Sequence, residues 1–323
     1  MDHSEGQLTE TQLKDFSTTI PVGQHYDYEV TANDRIQLTA GLRYENTTYD
    51  YQNKLSVGSA CAIEVENCRF SRPADQEVNF DEWSYQLNAN YVLSQEQRLY
   101  VNYSKGYRPP QVTELFRLQA GQKIAELDAE KINSVELGIR GEIYHLFYDL
   151  TAFAMQKNNL IFQDTNRQNI SHGETSHQGI ELAVHYQWSD FYASFNGTLA
   201  KHKYATSLTL SRVNIQNNEI DTAPEHMGSM QVGWRSDNQK FLELEWVHQG
   251  NYYLNPENTA DYRGHNLLNL RAGMEIANQL SINARITNLT NEEYAERADF
   301  GFGQHRYFVG EPLSIYLTVN YSF

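Results

Sequence analysis

Residues 313–323 read LSIYLTVNYSF, and the spacing of this stretch decides the fold. Leu313, Ile315, Leu317, Val319, Tyr321 and Phe323 alternate without a break against Ser314, Tyr316, Thr318, Asn320 and Ser322. Successive side chains of an extended chain point to opposite faces, so all six apolar groups fall on one side. A tilted strand needs about 9–11 residues to cross a bilayer, and this run is long enough. The sequence predicts a strand with hydrocarbon on one face and a polar medium on the other. A soluble sheet could also use such a strand, so the rest of the chain has to decide.

Composition narrows the choice. The chain has 323 residues, and its mean hydropathy is -0.64. No run of about 18 apolar residues exists, so helical membrane spans are not predicted. A β-barrel escapes that test because only every second residue must be apolar. Twenty-two tyrosines, fourteen phenylalanines and four tryptophans suit strands and membrane-interface girdles. The net charge of -16 argues against nucleic acid as a partner, since phosphate contacts need basic clusters. Cys61 and Cys68 lie in a polar, loop-like segment, where an oxidised pair outside the cytoplasm is expected over two free thiols. No further cysteine or nearby histidine cluster completes a metal site, and no cofactor is expected. The opening stretch MDHSEGQLTETQLKDF has no basic start and no apolar core, so it does not read as a secretory signal.

Period-two reading gives about thirteen strands. The first lies near His25–Val30, and the next runs through Ile36, Leu38, Ala40, Leu42 and Tyr44. Others follow around 83–93, 97–106, 133–143, 146–156, 178–188, 190–200, 228–236, 240–249, 266–276, 279–288 and 312–323. Their connections carry the stronger signal. Those at 31–34, 94–97, 144–145, 189–190, 236–239 and 277–279 are minimal. Those at roughly 45–80, 107–132, 157–177, 201–227, 250–265 and 289–311 are long and polar. Short and long alternate strictly, as periplasmic turns and extracellular loops do in transmembrane barrels. Loops this long are uncommon in soluble domains.

Two further patterns agree. Aromatics crowd the short turns, including Tyr91, Tyr100, Tyr144, Phe147, Trp188, Phe191 and Trp234, where an interface girdle belongs. Arg43, Glu136, Arg140, Glu181, Glu243, Glu245, Arg271, Glu275 and Arg285 fall opposite the apolar rows and must face a polar lumen. Bacterial single-chain barrels use an even number of strands, and thirteen is odd. Residues 1–16 are therefore expected to be a partial extracellular loop or disordered start. Residues 17–323 are expected to be the later part of a larger barrel.

The chain resembles the C-terminal barrel of TonB-dependent outer-membrane receptors. The matching phrases are IQLTAGLRYE (36–45), LYVNYSKGYRPPQVTELF (99–116), NSVELGIRG (133–141), HGETSHQGIELAVHY (172–186), YYLNPENTADYRGHNLLNLRAGM (252–274), ARITNLTNEEYAE (284–296) and GEPLSIYLTVNYSF (310–323). The resemblance implies an all-β transmembrane antiparallel β-barrel of about twenty-two strands around an N-terminal plug, of which this chain supplies about the last thirteen. Signal peptide, plug, TonB box and earlier strands have no counterpart in these residues. It implies a bacterial outer-membrane location, surrounded by outer-membrane lipid and lipopolysaccharide. The implied partners are the TonB energy-transducing complex, acting through the plug, and a ligand, by default a ferric siderophore or other iron chelate. It implies binding and gating rather than catalysis. A passive porin and an outer-membrane barrel hydrolase are the alternatives.

Individual residues say less. Arg108, Arg117, Arg297, His305 and Arg306 fall in the long connections, where they are candidates for first contact with an anionic chelate or are ordinary loop residues. His172, Glu174 and His177 have a spacing that could hold a metal, but at a strand start it fixes no geometry. Glu243 and Glu245 share one face, which suits an electrostatic wall better than an acid and base pair. No GxSxG nucleophile motif is present. Gly41, Gly138 and Gly179 sit within strands, where glycine marks a bend or a close backbone approach.

Overall fold

A computed structural model describes residues 16–19, 24–61, 68, 70–116, 118–119, 125–163, 169–210, 212–236, 240–277, 279–301 and 303–321. Fourteen strands form one sheet. They are β1 (Phe16–Thr19), β2 (Gln24–Asn33), β3 (Ile36–Tyr51), β4 (Gln76–Val92), β5 (Gln97–Arg108), β6 (Glu130–Ile143) and β7 (Leu146–Gln163). There follow β8 (Asn169–Trp188), β9 (Phe191–Tyr204), β10 (His226–Arg235), β11 (Phe241–Gln249), β12 (His265–Ala277), β13 (Leu280–Thr287) and β14 (Ser314–Tyr321). From β3 onward each strand pairs antiparallel with the next. β1 and β2 both pair with β3, β2 along 36–44 and β1 along 48–51, so they share one place in the sheet. Thirteen places result, the number read from the alternation. β1 itself was not expected, because four residues are too few to display a period. Residues 1–15 lie outside the described residues.

Register converts alternation into two surfaces. Directly paired residues share a face, so Leu146, Tyr186, Ala193, Val232, Leu244, Leu270, Ile286 and Ile315 form one unbroken apolar row across eight strands. On the opposite face Tyr192, Gly233, Glu243, Arg271, Arg285 and Tyr316 form a polar row. The apolar row is bare: Ile315 is 72% exposed and Leu317 beside it 69%. Contiguous apolar surface of this extent marks contact with another apolar phase, and here the spacing and strand lengths match a bilayer.

Buried apolar packing sits elsewhere, above the sheet at its long-loop end. Leu115, Phe116, Leu118 and Leu127 pack with Tyr49 and Phe80 in one core. Tyr252, Leu254, Ala295 and Ala298 make a second. The first includes the short helix α1 (Val112–Phe116), whose Leu115 and Phe116 are its buried residues. A three-stranded sheet of 58–59, 70–72 and 118–119 accompanies it. The long loops are thus folded bodies.

The structure corrects the expected extents. The connection expected at 157–177 is mostly strand: β7 runs to Gln163 and β8 starts at Asn169. Irregular register at Lys157, Leu160 and Phe162 marks this extension. Here Leu160, Ile161 and Phe162 run consecutively and the facing segment 171–177 is polar, so the ladder continues while the alternation that reveals it stops. The connection at 289–311 likewise contains a hairpin, 295–301 with 304–309. The turns at 144–145 and 189–190 fall where expected, while 237–239 and 278 lie outside the described residues; Tyr144 and His145, with φ of 46° and 67°, make the left-handed two-residue turn that suits a twisted hairpin.

Leu244 lies near the middle of the bare apolar row, and Thr318 faces the other way. Leu244→Arg is expected to lower unfolding free energy in lipid vesicles by about 2–4 kcal/mol. Thr318→Arg is expected to change it far less. Urea titration of both variants checks the assignment of faces.

Candidate functional site: a polar wall under two loop bodies

The polar face forms a hydrogen-bonded wall. The Tyr192 hydroxyl donates to Glu243. Arg271 bridges Glu243 and Glu245 at 3.4 and 3.0 Å. Glu245 also accepts from Gln231 and Asn269, each at 2.9 Å. Two carboxylates so bridged are an ion-pair network, not an acid beside a base. Farther round, Tyr100 shares hydrogen bonds with Asp149 at 3.0 Å and Thr151 at 2.5 Å, and Asn102 donates to Glu136 at 3.1 Å.

Two glycines shape this wall. A Cβ at Gly138 would run into the Tyr100 ring, and one at Gly233 would run into the Tyr192 ring. Each ring lies over the bare backbone of its cross-strand partner. At Gly138 the close neighbour is a side chain rather than the expected backbone; a close backbone approach is found at Gly179. Gly179 is also crowded, with Leu199 O at 2.5 Å and the Phe153 ring at 2.8 Å from the position of its Cβ.

At the long-loop end the candidate ligand residues divide. Arg108 donates to Glu114 at 2.9 and 3.2 Å and to Glu130 at 3.0 Å. Lys157 reaches the same Glu130 at 3.0 Å, and the Ile161 N–H donates to it at 2.9 Å. Arg108 therefore ties β5 to α1, β6 and β7. The bonds to Glu114 and Glu130 push its pKa up, so its charge is permanent. Burial raises the Glu130 pKa, but the Arg108, Ile161 and Lys157 bonds outweigh it and hold the carboxyl below its usual range. A cleft of about 320 Å³ opens nearby, lined by Arg43, Glu45, Ser84, Gly106, Tyr107 and Pro109.

Arg297 and Arg306 flank Asp299, each at 2.6 Å, within the 295–309 hairpin. The Arg306 bond holds the Asp299 carboxyl below its usual range against the opposing effect of burial, with help from Arg297. Arg297 remains 63% exposed and lies 5.7 Å over the Phe308 ring. His305 packs edge-on against Phe300 at 5.5 Å and is exposed. Arg117 lies outside the described residues. Cys61 and Cys68 are joined by a disulfide in the loop after β3.

Hydrogen bonds knit the later loops together. Thr222 N–H donates to Tyr253 O at 2.8 Å, and Asn218 reaches Pro256 O at 2.9 Å. Ala298 N–H donates to the Tyr252 hydroxyl at 2.8 Å, and Phe300 N–H to Leu254 O at 3.0 Å. The loops after β9, β11 and β13 thereby act as one body.

The spacing of His172, Glu174 and His177 does not bring them together. His172 and Glu174 are exposed, with His172 3.6 Å from Asp128, while His177 turns to the polar face. There its Nδ1 meets Nδ1 of His202 at 2.8 Å. Among the described residues no group of three or more His, Cys, Asp or Glu is placed to hold a metal. Sequence reading missed the His177 and His202 pair, yet a signal existed. Both lie twelve residues from the Ser189–Asp190 turn, on either side, so the hairpin alone sets them opposite.

Asp299 is ionised well below neutral pH and lends its stabilisation above the usual carboxylate range; that contribution disappears as pH falls through its lowered pKa. Asp299→Asn is expected to speed amide exchange in the 295–309 hairpin about two- to fivefold at neutral pH, the effect of a partly exposed ion pair worth roughly 0.5–1 kcal/mol. Acidification should remove the difference between variant and parent.

Comparison with known proteins places this architecture. The family model described as TonB dependent receptor-like, beta-barrel matches residues 15–289. The vitamin B12 transporter BtuB of Photobacterium profundum is 21% identical over 235 residues, covering 70% of this chain and 36% of the transporter. The TonB-dependent heme receptor A of Haemophilus influenzae is 26% identical over 139 residues, covering 42% of this chain and 18% of that receptor. Among solved structures, the ferric yersiniabactin uptake receptor FyuA from Yersinia pestis superposes with a TM-score of 0.75 at 17% identity, over 93% of this chain and 45% of FyuA. The copper transporter OprC gives 0.75 at 15% identity, over 93% and 47%. The chain spans less than half the length of each of these relatives. With the family model matched across most of its residues, the chain belongs to the TonB-dependent receptor β-barrel family.

Proposed function

We propose that this chain forms part of the wall and outer rim of a gated importer in the bacterial outer membrane, and that the importer admits an iron chelate. The observation that carries the reading is the charged, mutually bonded wall opposite an exposed apolar face. Such a surface suits an aqueous passage or an inserted polar plug, and it needs no covalent chemistry. The TonB complex supplies energy through segments of the receptor other than those described here. The loop bodies meet the ligand first, because packed loops present side chains in fixed positions at little ordering cost.

Within those bodies Arg297 and His305 are the proposed ligand contacts, both exposed on one hairpin. Asp299 and Arg306 fix the hairpin beneath them. Arg108 acts as a brace, holding the first loop body on the wall. A planar guanidinium pairs with anionic oxygens in bidentate fashion, which favours an anionic ferric chelate over an uncharged nutrient. The relatives named for heme and for ferric yersiniabactin support iron; those named for vitamin B12 and copper mark the competing ligands.

Equilibrium binding of ferric catecholate, ferric citrate, haem, cobalamin and cupric ion to the receptor tests this directly. Tightest binding by a ferric chelate is expected. Arg297→Ala should weaken it about tenfold, the loss of one charge-assisted contact, and leave cobalamin unchanged. Preference for cobalamin or copper would overturn the iron assignment while leaving the family intact.

A further inference from the structure

Strands β8 and β9 meet at the Ser189–Asp190 turn, and their ladder sets His177 directly opposite His202. Both rings lie on the polar face of the sheet. Their outward neighbours at this level, Ser176, Gln178, Lys201 and Lys203, are polar too, so the pair stands beyond the apolar rows. The two Nδ1 atoms are 2.8 Å apart, with the ring planes inclined at 56°. Without a metal, one Nδ1–H donates to the lone pair of the other nitrogen.

The same distance suits a metal ion. Two nitrogen ligands, each about 2.0 Å from an ion and at right angles to one another, lie about 2.8 Å apart. A tetrahedral ion holds them about 3.3 Å apart. Turning the two imidazoles about their Cβ–Cγ bonds aims both lone pairs at one point and leaves the ladder in place. The surroundings favour ligation. His177 Nε2 lies 2.9 Å from Oγ1 of the buried Thr175, and a metal-bound imidazole needs such an acceptor for its other N–H. Burial lowers the pKa of both rings; His202 and Lys157 add to the effect at His177, and Glu225 opposes it at His202. Both rings are therefore neutral at neutral pH, the form that binds metal. The Lys157 ammonium is held by Glu130 at 3.0 Å, so its charge is compensated. Tyr204, opposite Thr175, is committed to Asp221 at 2.6 Å.

We propose that His177 and His202 form a two-histidine site for Cu(II). The ion takes the two Nδ1 atoms as neighbouring equatorial ligands and keeps its remaining positions for water or the oxygen donors of a chelator. Cu(II) prefers tetragonal geometry and ranks highest among the first-row divalent ions for such donors, so right-angled pairing selects it over zinc. As the ion binds, the proton between the rings leaves to water and is regained at Nε2, and no net charge is lost from the imidazoles. The inference goes beyond the importer reading. It needs only the pairing of β8 with β9 and stands whether or not the imported chelate carries iron. Bound there, the ion clamps the two strands together beneath the loop after β9.

The full chain is folded in detergent and given one equivalent of Cu(II) iminodiacetate, and the bound copper is examined by pulsed electron paramagnetic resonance. The nitrogen modulation of two equatorial imidazoles is expected. His202→Gln should leave the pattern of one imidazole and weaken binding about tenfold, the loss of one of two linked contacts. His226 and His248, whose Nδ1 and Nε2 are also 2.8 Å apart, are the alternative location on the outward face, and H226Q/H248Q should bind as the parent does. A tenfold excess of Zn(II) iminodiacetate should not displace the copper. A one-imidazole pattern in the parent, unchanged binding by His202→Gln, loss of binding in H226Q/H248Q, or displacement by zinc would each overturn the site. Where His202→Gln prevents folding, seen as a lost heat-dependent shift in gel mobility, His177→Gln replaces it, with the same drop expected and no drop overturning the site. The imidazole count in the parent tests the site without any variant.

Discussion

Within hydrocarbon a peptide group has no water to bond, so every strand must find its partner along the whole crossing. That requirement orders everything else. It forces neighbouring strands into continuous antiparallel ladders, and the ladders place paired residues on the same side of the sheet. Once β11 pairs with β12, Glu243 meets Arg271 and Leu244 meets Leu270. A one-residue slip would send the charges into lipid and the leucines into the passage. The ion pairs of the wall therefore follow from register rather than create it.

The same demand explains where the conventional cores lie. Side chains on the lipid face are not tucked away by the protein, and those on the polar face bond to one another. Leu115, Leu118 and Leu254 are only 2%, 0% and 1% exposed, all above the sheet. The loops fold as soluble units do, by hiding leucine and tyrosine from water. Arg108 and Asp299 then tie each unit to itself or to the strands below. These charges sit where water still competes, so their contribution is positional more than energetic.

Much of this was legible in the chain. Alternation at Leu313 to Tyr321 gave β14, and the alternation of short and long connections gave the antiparallel order. The polar set of Arg43, Glu243, Arg271 and Arg285 was readable from period alone. Strand extents were not, because period two reports only where one face is apolar; β7 and β8 keep pairing after that condition ends. The packed loops were equally hidden. Their leucines lie in two connections, and the partners they bury against come from other segments that converge only when the strands have set the loop ends. Nor could the sequence tell that Arg108, Arg297 and Arg306 are held by internal carboxylates, since Glu114 and Asp299 look like any other loop acids.

The tyrosine rings lying on Gly138 and Gly233 have a consequence for the bore. An upright tyrosine would project its full length toward the centre of the passage, whereas a reclined one takes up only the thickness of a ring. Glycine beneath it supplies the recess, and the hydroxyl at its tip is anchored sideways, to Asp149 or Glu243. The wall can thus carry large, hydrogen-bonding side chains and stay shallow, leaving clearance for whatever occupies or crosses the interior.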